Sequence, residues 1–178
     1  MTQEVAAALD TGSGVSSRFP GMQGSAAAGQ TQFISFAIGD DQYGVDIIAV
    51  REIKGWSEIT TLPNQPDYVR GVINLRGAIV PIVDLRCRFG QGQTEATPLH
   101  IMIIVQVSAR LIGLLADRVL DIVTFDSKQI QPVPEVASGQ RAGFLSGLAT
   151  QESGMIALID LPNLLAEQLS SESFAAAS

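Results

Sequence analysis

The sequence holds one cysteine, Cys87, one histidine, His100, and only two lysines, Lys54 and Lys128, among 178 residues, and each scarcity excludes something. One cysteine makes no internal disulfide, and with one histidine it falls short of a structural zinc site, so a reducing, cytosolic setting fits. Scarce lysine, a net charge of -7 and a pI near 4.5 argue against sequence-independent nucleic-acid binding, which needs clustered cations to neutralise phosphates. Aromatic residues are 6% of the chain, too few for the stacking platforms of an OB-type barrel, the alternative reading that the arginines 70, 76, 86 and 88 would otherwise favour. No apolar run approaches the roughly 20 residues that span a bilayer, and residues 1–9 lack a basic start before an apolar core. Insertion into a membrane is therefore not expected.

Catalytic signatures are equally scarce. The chain has no Gly-x-x-x-x-Gly-Lys phosphate loop, no Gly-x-Ser-x-Gly elbow and no paired metal-ligand spacing. A small enzyme would have to use Cys87 or His100. Cys87 lies between Arg86 and Arg88, which would lower its pKa, but no histidine stands near it in sequence. Asp40 and Asp41 are adjacent on a turn and read as solvated rather than metal-binding. No enzyme activity, cofactor or metal is expected.

What is present describes a globular protein suited to protein contacts, with 46% hydrophobic and 16% charged residues. Residues 1–29 mix alanine, glycine, serine and glutamine and are expected to be a disordered tail, as are 170–178. Between them, β-branched and apolar runs at 32–38, 42–45, 78–85, 99–107, 111–116, 119–125 and 155–159 predict a mostly β domain over 30–169. Gly39-Asp40-Asp41 and Ser108-Ala109-Arg110 close hairpins. Short helices are predicted where Asp46 caps 47–53, with Ile47, Val50 and Ile53 on one face, after Pro66, and from Asp160-Leu161-Pro162 to about Leu169.

Residues 71–88 are the most informative stretch. Asn74 and Gly77 are turn formers, so the turn presents Arg76 against a buried strand, 78–83, in which Pro81 implies an edge or a bulge. The chain also repeats itself. Gly44, Val50, Glu52, Ile53 and Pro63 recur 69 residues later as Gly113, Val119, Asp121, Ile122 and Pro132. Gly71, Val80, Ile82, Val83, Asp84 and Leu85 recur 76 residues later as Gly147, Ile156, Leu158, Ile159, Asp160 and Leu161. Duplication predicts two small barrels of about five strands each, closed to hide their edges, with a helix-sized groove at the seam. Helix and turn brought together would place Glu52 beside Arg76 as an ion pair worth only about 0 to 1 kcal/mol in stability.

Gln42-Tyr43-Gly44-Val45-Asp46, Val50-Arg51-Glu52-Ile53, Gly71-Val72-Ile73-Asn74-Leu75-Arg76-Gly77 and Val80-Pro81-Ile82-Val83-Asp84-Leu85-Arg86 resemble the CheW family of bacterial chemotaxis coupling proteins. Segments 113–121, 129–134 and 145–161 are similar as well, so the resemblance runs over roughly 32–168. It implies two intertwined five-stranded SH3-like β-barrels with short helices and a C-terminal helix, and a non-enzymatic adaptor. The adaptor would couple the cytoplasmic hairpin tip of methyl-accepting chemoreceptors to the regulatory domain of the histidine kinase CheA, part of a two-component system. It would lie in the cytoplasm, recruited to membrane-associated receptor arrays, with copies able to form rings. The receptor tip would dock in the groove between barrels, and matching positions carry receptor binding over to Val50, Glu52, Gly71, Asn74, Arg76 and Gly77. Kinase contacts would use apolar barrel ends. The low-complexity start and Cys87 depart from the family pattern.

Overall fold

A computed structural model of the chain describes residues 28–135 and 142–170. The expected tails at 1–29 and 170–178 lie outside the described residues, except for Ala28, Gly29 and Ser170.

The chain is mostly β. Among the described residues eleven strands run β1 (Gln30–Ile38), β2 (Asp41–Asp46), β3 (Val50–Gly55), β4 (Val69–Leu75), β5 (Ala78–Asp84), β6 (Ile101–Val107), β7 (Arg110–Ala116), β8 (Arg118–Asp126), β9 (Ile130–Gln131), β10 (Leu145–Gln151) and β11 (Gly154–Ile159). They form two sheets, ordered β8-β1-β2-β11-β10-β9 and β3-β6-β7-β5-β4. Three short helices, α1 (Leu85–Arg88), α2 (Leu161–Leu164) and α3 (Ala166–Ser170), follow the fifth and last strands.

Five strands of the larger sheet repeat the order of the smaller one, and each sheet borrows from the other half of the sequence. The hairpin β1–β2 joins the later strands β8, β10 and β11, while β6–β7 joins the earlier β3, β4 and β5. Each hairpin is joined on one side by an antiparallel ladder, β1 to β8 and β6 to β3, and on the other by a parallel one, with Leu158 opposite Gly44 and Ile82 opposite Gly113. Both glycines are there for space. A Cβ on Gly44 would stand 3.0 Å from Leu158 Cδ2, and one on Gly113 would stand 2.3 Å from Ile82 Cδ1. Even the irregularities repeat, with bulges at Val50/Glu52 and at the β8 partner of Ser35/Phe36, and others at Val69/Gly71 and Leu145/Gly147. Asp84 caps α1 through Cys87 N, and Asp160 caps α2 through Asn163 N. This exchange of hairpins gives the main core residues of both halves, Ile34, Phe36, Val83, Leu85, Ile103, Leu114 and Leu164.

Several expectations change. The stretch 47–53 is not one helix. Asp46 does cap a turn, accepting from Ile48 N at 2.9 Å, but the turn covers only Ile47–Ala49. From Val50 the chain is strand, because β-branched Val50 and Ile53 pair with Val105 and Ile103 of β6. Pro66 likewise opens a single turn, closed by Val69 N donating to Pro66 O, before β4 begins. The sheets are not hydrogen-bonded closed barrels. β4 is a sheet edge, but the β3–β4 connection covers it through paired bonds of 2.9 Å between Thr60 and Val72, and β9 covers β10 in the same way. Pro81 sits on an interior strand, yet the ladder to β7 starts only at Ile82, so its missing N–H faces no partner strand.

Candidate functional site

The β4–β5 hairpin closes on Arg76 and Gly77 between the paired residues Leu75 and Ala78. Both loop residues have positive φ, 51° and 88°, the mirror-image turn that matches strand twist. Asn74 Oδ1 accepts from Gly77 N at 2.9 Å and holds the turn. Arginine is strained there, at a cost on the order of 1 kcal/mol or more.

Arg76 Nη1 meets Glu52 Oε2 at 2.9 Å, with the two side chains 73% and 23% exposed. Glu52 lies on β3 and Arg76 beside β4, the two ends of the five-stranded order, so the sheet has curled until its edges are bridged by this pair. The other four site residues divide. Asn74 and Gly77 are exposed at the turn, whereas Val50 is 4% exposed in the core and Gly71 is buried, with φ 141°. Val50 and Gly71 therefore present little surface, unlike Asn74, Arg76 and Gly77. A Cβ at Gly71 would stand 2.2 Å from Thr60 O, so glycine keeps the edge cover in place.

A cleft of 710 Å³ opens between the two halves. Its walls come from Ile48 and Arg51 of the first half, the β6–β7 hairpin at Val107 and Ser108, and Leu161 and Pro162 at the start of α2. Ile48 is 78% exposed, an uncommon state for isoleucine beside a concavity. Arg51 Nε donates to Gln106 Oε1 at 2.6 Å and rims the opening. None of the six site residues lines the cleft; Glu52 follows the cleft residue Arg51 on β3, and Arg76 reaches Glu52 from the β4–β5 turn. Sequence reasoning missed Ile48, because a helical period put Ile47, Val50 and Ile53 on the buried face and passed over the residue between them. The outward signal was the Ile47-Ile48 pair, only one of which a short turn can bury.

The arginines 70, 76, 86 and 88 do not form a basic patch. Arg70 lies 3.8 Å from buried Asp84, Arg86 pairs with Asp117 at 2.8 Å, and Arg88 lies between the rings of Tyr68 and Phe144 at 4.2 and 4.5 Å. Cys87 departs from expectation too. Burial pushes its thiol up, Asp84 and Asp67 push further, and Arg70 only partly opposes them. The native state thus holds this proton more tightly than the unfolded chain does. The neutral thiol favours folding below the ordinary thiol range, and that preference is lost as pH rises through the raised value. Iodoacetamide should alkylate Cys87 at pH 7.5 at least about threefold more slowly than it does the urea-unfolded chain; equal rates would contradict the assignment. Among the described residues no group of three His, Cys, Asp or Glu side chains could hold a metal ion, and no helix is long and apolar enough to cross a membrane.

The family model for the CheW-like domain matches residues 32–169. The chain is 45% identical to a chemotaxis protein CheW of Rhizobium meliloti (strain 1021), over 76% of this chain and 88% of that protein. It is 37% identical to a chemotaxis protein CheW of Klebsiella aerogenes, over 81% and 89%. The crystal structure of the scaffolding protein TtCheW from Thermoanaerobacter tengcongensis superposes with a TM-score of 0.69 at 32% identity, covering 76% of this chain and 87% of that one. A duplicated β fold with exchanged hairpins, an exposed turn arginine paired with a strand glutamate and a match across the whole described domain lead to one conclusion: the chain belongs to the CheW-like family, as a non-enzymatic chemotaxis scaffold.

Proposed function

We propose that this scaffold couples the cytoplasmic hairpin tip of methyl-accepting chemoreceptors to the regulatory domain of the histidine kinase CheA. The observation that carries the reading is the cleft between the two halves, with Ile48 exposed at its edge and the Glu52–Arg76 pair joined to it through Arg51, the neighbour of Glu52 on β3. A receptor helix lays its apolar face into the cleft, and the exposed groups Arg76, Asn74 and Gly77 with Glu52 fix its register. Val50 and Gly71 act from beneath, by fixing β3 and the edge of β4.

The kinase is held elsewhere. Met155, 58% exposed, stands beside the β10–β11 turn of the second sheet, whereas its counterpart Ile79, 62% exposed, lies opposite Asn74 in the receptor hairpin, which leaves the Met155 end for the kinase. An apolar end of this kind suits the kinase domain, or a second copy in a ring. Each contact is weak alone, and assembly in cytoplasmic arrays beside the membrane supplies the effective concentration. Residues 30–169 are the working module.

Pulldowns of the full chain with a receptor cytoplasmic fragment and with the kinase regulatory domain, separately and together, test the scheme; capture of neither rejects it. Ile48→Arg provides a sharper check. Burying an isoleucine is worth about 1.5–3 kcal/mol, so the variant should weaken receptor binding by about tenfold or more. Binding of the kinase domain should be unchanged, and joint loss of both would point to misfolding instead.

A further inference from the structure

The duplication gives the cleft a counterpart built from the corresponding segments, and the two differ in chemistry. Under the offsets of 69 and 76, Ile48 corresponds to Asp117, Ser108 to Gly39, and Pro162 to Arg86. In the open cleft, Ile48, Ser108 and Pro162 stand around empty space. At the counterpart one of the three corresponding residues, Asp117, bonds both of the others. Asp117 Oδ2 accepts from Gly39 N at 2.7 Å and from Arg86 Nη2 at 2.8 Å. His100 Nε2 lies 3.4 Å from Asp117 Oδ1, and its Nδ1 accepts from Thr97 N at 3.0 Å. Asp117 N donates to Ala37 O, so the backbone is tied down as well.

We propose that Asp117, clamped by Arg86 and Gly39, plugs the second of two pseudo-equivalent clefts and leaves the scaffold a single helix-docking face. This rests on the open cleft being the receptor site. The physical case is that the plug crosses the seam, joining the β1–β2 turn of one sheet to α1, which follows β5 of the other. A helix entering there would have to break charge-assisted bonds in a partly buried place and leave a carboxylate without partners. The flanks differ in the same sense. Asp121 on β8 and Glu152 at the β10–β11 turn correspond to Glu52 and Arg76 of the open side, so two acids replace the ion pair. The loop residues of that turn, Glu152 and Ser153, also lack the positive φ of Arg76 and Gly77. One-sidedness would give the array a defined polarity, because each scaffold could hold one receptor tip in one orientation.

Writing the open cleft's residues into the closed one tests this. The double variant Asp117→Ile with Arg86→Pro is compatible with α1, since position 86 is in its first turn, where proline is tolerated. Titration calorimetry of the full chain with a soluble receptor cytoplasmic fragment should give one site for the wild type and two for the variant. Arg86→Ala alone leaves the Asp117 to Gly39 bond and should keep the fold; it should show the second site at least tenfold weaker than the first. A wild type that binds no fragment would overturn the functional reading itself. A wild type with one site, together with natively folded variants that also show one, would overturn the plug alone. In the Ile48→Arg background, rescue of binding by either variant supports the plug, and no rescue counts against it.

Discussion

Arg76→Ala is expected to lower affinity for the receptor fragment by at least about tenfold while moving the melting temperature by no more than about 4 °C. The small stability effect follows from three facts. The arginine is 73% exposed, so its ion pair with Glu52 contributes at most about 1 kcal/mol. Its φ of 51° is strained for a residue with a side chain, and alanine inherits that strain without adding to it. The second half of the molecule folds the corresponding hairpin with Glu152 in place of Arg76 and Asp121 in place of Glu52. The fold thus does not need an ion pair at this position. An arginine held at a conformational cost, on an exposed turn, with no folding duty, is an observation that points toward recognition. Arg76→Gly makes the contrast stronger. It should raise stability slightly by removing the strain and still lose binding, whereas retained binding in both variants would remove Arg76 from the docking surface.

The largest effect on folding is expected from Gly71→Ala. Its φ of 141° is closed to ordinary side chains, and the added carbon would stand 2.2 Å from Thr60 O and 2.7 Å from Ile59 Cγ2. Thr60 O is the acceptor for Val72 N, so relieving the clash means giving up the paired bonds that cover the edge of β4. Backbone strain and lost bonds together suggest a cost of about 3 kcal/mol, or a fall of about 6–12 °C in melting temperature for a chain of this size. Gly77→Ala is the control. Gly77 also has positive φ, but nothing lies within 4 Å of a Cβ there, so only the conformational cost of about 1 kcal/mol applies. Thermal melts of the two variants should differ clearly, and equal melts would refute the account of the edge. The comparison separates two ways of losing receptor binding. Gly71→Ala loses it through the fold, and Arg76→Ala loses it with the fold intact.

Asp84 illustrates why some of this was visible in the chain and some was not. As a strand-end aspartate before Leu85 it could be read locally, and it does cap α1. Its two bonds of 2.7 Å to Thr94 N and Oγ1, and the approach of Arg70, come from segments 10 and 14 residues away whose paths nothing local dictates. Cys87 shows the same limit in reverse. Its sequence neighbours Arg86 and Arg88 are turned toward Asp117 and toward two aromatic rings, and the groups that set its proton affinity are acids brought in by the fold.

By itself the sequence determined the β content, the internal duplication, the turn that carries Arg76 and the residues Glu52 and Arg76 as a pair worth testing. Those properties are local: alternation, turn chemistry and repetition are written in neighbouring residues. Only the tertiary structure decided that Val50 begins a strand rather than extending a helix, since the choice rested on the partner strand β6, about 50 residues away. It also decided that hairpins are exchanged between sheets, that Ile48 is left exposed at an open cleft, and that Asp117 fills the matching place. Strand pairing draws its energy from whichever segment lies alongside, and a repeated sequence offers each strand two nearly equal partners, so which one wins is settled when the whole core packs.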